Sequence, residues 1–284
     1  MKTKKTTRCL FFLCLFLLKA TSSHADDAVG EFSMRLSVGK LPGAIVVVVY
    51  KRDAENIHKL LDFAGKEAGR LYDQMNTANP ASEVAKLNAN HGGKPYPLSS
   101  ELTSLFKAAE RVAHSTSGAF DISQGHFRQI DLDEKHNRVK LKDPTIQVRF
   151  DGIIEGFIAD VLVRYIYSAG MKNMMIKIGP AFRALGQGVY EPWKLQVEDS
   201  LGVYANRAVN VFMGNSGAAA VSGNAQSCCR GVTIAMKEAA LAQGTAQAIF
   251  VLGIEEGKKL LEQIGGAKWV IVDQKGNFIR SPGF

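Results

Sequence analysis

Proton and group transfer at neutral pH call on histidine, paired carboxylates or an activated cysteine, and this 284-residue chain holds some of each. Five histidines lie beyond residue 25: His58, His91, His114, His126 and His136. His58 and His114 fall within long helical patterns, His91 precedes a Gly-Gly loop, and His136 sits in the charged stretch Asp131–Arg138. In all four settings an imidazole packs or meets solvent. His126 follows the Phe120-Asp121 turn and stays a candidate base. Cys228 and Cys229 are neighbours, and Cα atoms about 3.8 Å apart across a trans peptide are too close for an unstrained bridge. Two small buried apolar side chains are expected there, with a redox pair, an intermolecular link or a Cys229 nucleophile as the other uses. Asp121, Glu155 and Asp160 complete the set. On residue type alone Asp121 reads as a turn residue and Glu155 as a solvated helix residue.

The elements that must position these groups follow from periodicity. After a strand at Ala44–Tyr50, the segment Asp53–Met75 places Ile57, Leu60, Leu61, Ala64, Ala68, Leu71 and Met75 at three- and four-residue steps, with Asp53 available as N-cap. Ser99–Ser117 repeats the pattern and stops at Ser117-Gly118, a helix-ending glycine. Asp151–Gly170 is the third such helix. β-rich runs follow at Met174–Ile178, Lys194–Val197, Ala208–Met213, Ala218–Ser222 and Val232–Met236, then helices at Lys237–Phe250 and Glu255–Ile264. A closing hairpin joins Trp269–Val272 to Phe278–Arg280. Helices and strands mix without a regular β-α-β period, and no linker divides the chain, so one α+β domain with a mainly antiparallel sheet is expected over residues 26–284.

Residues 1–25 read as a secretory signal peptide. Lys2, Lys4, Lys5 and Arg8 precede the apolar run Cys9–Leu18, and Ser23-His24-Ala25 has the small-x-small form of a cleavage site. Ten apolar residues are far short of the roughly 20 that cross a bilayer, and no later segment qualifies, so an exported, periplasmic protein without a transmembrane anchor is expected. The leader carries five of the 35 basic residues and none of the 27 acidic ones, which leaves an excess of only three. With no basic cluster beyond it, nucleic-acid binding is set aside.

Five segments, read in order, resemble the successive signatures of the FAD:protein FMN transferase family, exported flavinyltransferases once described as thiamine-biosynthesis lipoproteins. They are Asn76-Thr-Ala-Asn-Pro-Ala-Ser-Glu-Val-Ala-Lys-Leu-Asn88, Ser117-Gly-Ala-Phe-Asp-Ile-Ser123, Asp151-Gly-Ile-Ile-Glu-Gly-Phe-Ile-Ala-Asp160, Glu191-Pro-Trp-Lys-Leu-Gln-Val-Glu-Asp199 and Ala248-Ile-Phe-Val-Leu-Gly253. The resemblance implies FAD in a cleft, a divalent metal on its pyrophosphate, and a base that activates a threonine or serine of a client protein. FMN is then joined to the client and AMP departs, a transfer that rests on in-line positioning and charge neutralisation. It also implies flavin contacts at Ala119, Phe120, Asp121, Glu155, Gly156 and Gly223, with Asp160 in place as well.

The departures from the family pattern fall on the chemistry. The aspartate of Leu-Asp-Leu-Gly-Gly-Ile-Ala-Lys-Gly aligns with Arg149, and a following Gly-Gly-Asp aligns with Gly179-Pro180-Ala181. The metal-binding Ala-Asp-Ala-Leu-Ala-Thr-Ala run aligns with Ala242–Ala248, so Gln243 and Gln247 stand where the family has Asp and Thr. Mg²⁺ usually takes at least one carboxylate, so no tight metal site is expected. The family's His-x-x-Asp-Pro-x-Thr-Gly segment is replaced by Asn224–Gly231, which has no His, Asp or Thr. Ala78 stands in place of a tyrosine that would stack on the flavin ring. No catalytic residue is assigned. The reading that carries more weight is a flavin-binding or assembly partner of an exported redox or flavin-carrying protein, and the alternative is an active flavinyltransferase with a rebuilt metal and base site.

Overall fold

Residues 44–50 alternate strictly, and the alternation builds a core on each side of one sheet. Ile45, Val47 and Val49 point into one apolar cluster and Val48 into another. The computed structural model describes residues 30–282 apart from 40, 42, 91, 92, 199–207 and 225. The leader and His91 therefore lie outside the described residues. Within them the chain runs β1 (Glu31–Ser37), β2 (Ala44–Tyr50), α1 (Ala54–Met75), α2 (Glu83–Asn88), β3 (Tyr96–Pro97), α3 (Ser100–Ser115), β4 (Ile130–Asp133) and β5 (Arg138–Leu141). It continues through α4 (Ile154–Ser168), β6 (Met174–Ile178), β7 (Ala181–Leu185), β8 (Trp193–Glu198), β9 (Ala208–Met213), β10 (Gly217–Ser222) and β11 (Cys229–Met236). It closes with α5 (Ala239–Leu252), α6 (Ile254–Ile264), β12 (Lys268–Asp273) and β13 (Phe278–Arg280).

Eight strands pair antiparallel in the order β1-β2-β6-β7-β10-β11-β12-β13. On one face α4 lies on β6 and β7, α5 lies on β10 and β11, and α1 packs on α4. The β8–β9 ribbon covers the other face, where Trp193, Leu195, Val211 and Met213 meet Phe182, Ala218 and Val270. Trp193 anchors the ribbon by donating Nε1–H to the Leu185 carbonyl at 2.9 Å. The single α+β domain of mixed helices and mainly antiparallel sheet is as the sequence predicts.

The differences are local. Asp53 sits in a 3₁₀ turn with helical dihedrals and makes no capping bond, so α1 starts without the expected side-chain cap. Gly118 does end α3: its φ of 86° is left-handed, and its N–H reaches back to the Ala113 carbonyl at 2.7 Å. β1 and β7 were not expected as strands. β1 alternates exposed and half-buried residues at an edge, and β7 follows β6 across the two-residue turn Gly179-Pro180, with Arg183 interrupting its apolar run.

Candidate functional site

The junction of α4 with α5 is built on glycines. A Cβ on Gly156 would stand 2.6 Å from the Ala239 carbonyl, and one on Gly217 2.0 Å from the Ala239 amide, so only glycine lets α4, α5 and β10 close to this distance. Asp160, 5% exposed, uses the approach: its carboxylate accepts from Ala239 N–H at 3.1 Å and Ala240 N–H at 3.0 Å, and Arg183 Nε meets it at 2.9 Å. It therefore satisfies the first amides of α5 from outside the helix, which has no side-chain cap of its own. Burial pushes the Asp160 carboxyl up, against the pull of the two amides and the guanidinium.

One turn before Asp160, Gln243 ties the same two helices. Its Oε1 accepts from Gly156 N–H at 2.8 Å and its Nε2 donates to Glu155 Oε2 at 2.7 Å. The side chain is 1% exposed. The neutral amide is thus spent on the α4 backbone and on Glu155 rather than presented to a ligand. Gln247, half-buried, lies against Gly152, where a Cβ would come within 2.8 Å of its Cγ.

A cleft of about 100 Å³ opens beside this junction. The end of α1 supplies Tyr72, Met75, Asn76 and Thr77, and the entry to α4 supplies Phe150, Asp151, Gly152, Ile154 and Glu155. Local hydrogen bonds fix both walls. Asn76 Oδ1 accepts from Ala78 N–H at 2.9 Å, turning the chain after α1. Asn88 clamps Val148 on both its N–H and its carbonyl, each at 2.9 Å, and Phe150 packs edge-on to Phe106 with centroids 5.0 Å apart. Arg149 Nε pairs with Asp151 at 2.9 Å. Burial, with the charges of Glu155, Asp151 and Asp73, pushes the Tyr72 phenol up, so it stays protonated and can donate.

Of the residues expected to touch flavin, Glu155 lines this cleft and Gly156 stands directly behind it. Ala119, Phe120 and Asp121 lie in the loop after α3. Asp121 organises that loop: Oδ1 accepts from the Ser123 amide at 2.8 Å and hydroxyl at 2.6 Å, and Oδ2 from the Gly125 and Phe127 amides at 2.5 and 3.2 Å. Phe120 is buried in the core, and the loop joins the cleft wall through Arg149 N–H to the Ile122 carbonyl at 2.8 Å. Gly223 sits at the far end of β10, where a Cβ would meet the Cys229 carbonyl at 2.3 Å and the Phe250 ring at 2.8 Å. Sequence reasoning missed Tyr72 and Asp151. Tyr72 lies one position beyond Leu71 at the margin of the α1 apolar stripe, and Asp151, which opens both a helix and a family segment in the sequence, has no site role assigned there.

None of His114, His126 and His136 lines the cleft. His126 is exposed beside Gln129, His114 packs edge-on to Phe127, and His136 pairs with Asp133 at 2.7 Å. Among the described residues no group of three or more His, Cys, Asp or Glu could hold a metal ion. Cys228 and Cys229 are free thiols with sulfurs 3.6 Å apart. Cys229 is fully buried, and that burial and the neighbouring thiol push it up to about 12, so it is inert as a nucleophile. No helix among the described residues is long and apolar enough to cross a membrane.

The family model described as ApbE family matches residues 43–129 and 124–231. A FAD:protein FMN transferase of Vibrio cholerae is 27% identical over 157 residues, 44% of this chain and 46% of that protein, so this match spans about half the length of that relative. One of Haemophilus influenzae is 21% identical over 85% of this chain and 87% of its own length. Two solved structures share the fold: the flavin transferase ApbE from Vibrio cholerae, at a TM-score of 0.73 and 18% identity over 89% of this chain and 97% of that one, and the ApbE protein from Thermotoga maritima, at 0.75 and 19% over 89% and 97%. A family model that covers both walls of the cleft and the junction's α4 side, from Gly43 to Gly231, places the chain in the ApbE family.

Proposed function

We propose that this protein is an exported, periplasmic member of the family that holds a flavin nucleotide without transferring FMN, and that it serves a redox or flavin-carrying partner protein. The observation that carries the reading is the Gln243 amide, whose two polar ends are taken by Gly156 N–H and Glu155. A hard cation needs carboxylate or carbonyl oxygens turned toward it. Here the oxygen of Gln243 is committed to the backbone, and a metal on the pyrophosphate does not fit this donor set. A flavin does fit in kind: the cleft offers an aromatic ring, a half-free carboxylate and the turn Asn76-Thr77. Curated relatives bear the name FAD:protein FMN transferase, which supports a flavin as the ligand class.

One observation favours the active alternative: Asp151 and Glu155 share the cleft, and two carboxylates are the start of a relocated metal site. The two readings separate in a single assay. The purified protein is incubated with FAD, Mg²⁺ and a flavin-accepting client domain, and the client is weighed intact. An unmodified client, together with a rise in melting temperature of this protein on adding FAD without Mg²⁺, is the expected result. An FMN adduct on the client overturns the proposal.

A further inference from the structure

The cleft says which end of a flavin nucleotide it takes. None of its lining residues is Lys or Arg, and Arg149, next in the chain to the lining residue Phe150, is already paired with Asp151. Glu155 has no cation partner and Arg149 only balances Asp151, so the lining keeps a net negative charge and repels a diphosphate. Its carboxylates are good acceptors for the N–H of a neutral heterocycle. Glu155 gives Oε2 to Gln243, and its Oε1 accepts from no other described residue. Tyr72 lines the same cleft, half-buried, its hydroxyl bonded to no described residue. At about 100 Å³ the cleft is smaller than an ordinary ligand pocket of roughly 300–1,000 Å³ and suits the edge of a ring, not a dinucleotide.

Resting on the flavin reading above, we infer that Tyr72 is the stacking surface for the flavin ring and that Glu155 Oε1 accepts the ring imide N–H, so the heterocycle enters and the phosphates point to solvent. Aromatic stacking and a charge-assisted hydrogen bond are each worth about a tenfold change in affinity. The experiment is calorimetric titration of the purified protein with riboflavin, N3-methylriboflavin, FMN and pyrophosphate, repeated with Tyr72→Phe and Tyr72→Leu. The inference expects riboflavin and FMN to bind within about threefold of each other and pyrophosphate not at all. It expects N3-methylation to weaken binding about tenfold. Tyr72→Phe should bind riboflavin like the parent, and Tyr72→Leu about tenfold more weakly with its unliganded melting temperature unchanged. Pyrophosphate binding, equal affinity for the N3-methyl compound, or a Tyr72→Leu protein that binds like the parent overturns the ring site while leaving flavin binding in place. A parent protein that binds neither riboflavin nor FMN overturns both.

Discussion

Replacing Gln243 with glutamate swaps one NH₂ for an oxygen and tests what the neutral amide does. One oxygen of the new side chain still accepts from Gly156 N–H, while the other stands where Nε2 now donates to Glu155 across 2.7 Å. Two full charges at that spacing repel by about 6 kcal/mol at an effective dielectric near 20. Protonating one carboxyl of the pair is cheaper. Holding a proton at pH 7 on a group that ordinarily titrates near 4.3 costs about 4 kcal/mol, less whatever water at the cleft mouth screens. The protonated carboxyl then restores the lost hydrogen bond. Gln243→Glu should therefore lose about 3 kcal/mol at pH 7, roughly 10 °C in melting temperature for a chain of this size. The sign of the pH dependence follows from the direction. A carboxyl raised in the folded state contributes fully below about pH 4.3 and loses that contribution as pH rises through the raised value. The deficit against the parent should close between pH 7 and pH 4.5, followed by differential scanning calorimetry. A variant as stable as the parent at pH 7, or one whose deficit ignores pH, would mean that Gln243 and Glu155 do not face each other.

Two further outcomes test the surroundings. Asp160→Asn leaves the Arg183 guanidinium, 16% exposed, without its counter-charge and turns an NH₂ toward one of the α5 amides, so urea unfolding should show a loss of about 3–5 kcal/mol. With Cys229 buried and its thiol pushed up to about 12, iodoacetamide at pH 8 should leave Cys229 unmodified in the folded protein and label it in guanidinium, read by fragment mass spectrometry; labelling of Cys229 in the folded protein would contradict its placement.

Much of the scaffold was legible because its helices are amphipathic and its central strands continuous. Ala44–Tyr50, Met174–Ile178 and Phe278–Arg280 match their predicted limits, and α1, α3 and α4 fall within three residues of theirs. What the sequence hid depends on pairing between distant segments. β7 carries Arg183, which looks wrong for a strand until Asp160 is seen across the sheet–helix interface. Tyr72 belongs to the cleft only because α1 ends beside the entry to α4, and the ring absent at Ala78 has a counterpart there, six residues earlier. Asp121 was legible twice, as a turn residue by type and as a flavin contact by resemblance. Its four accepted bonds realise the first, and its loop joins the cleft wall through Arg149 N–H.

The pattern of what is kept supports loss of transfer over relocation. Gly156 and Asp160 serve the close packing of α4 against α5, and each would be held by packing whether or not the protein moves FMN. On the resemblance, the positions that depart from the family pattern, among them Arg149, Ala181, Gln243 and Gln247, are those that would supply its metal site. At Gln243 the replacement is itself integrated: a carboxylate there would face Glu155, and the amide turns that repulsion into a hydrogen bond. A junction that gains from being uncharged resists the return of a metal ligand. Recovery of transfer by restoring Asp at position 243 alone is therefore not expected, because the pair would first have to be neutralised by a cation that no other aligned ligand helps to hold.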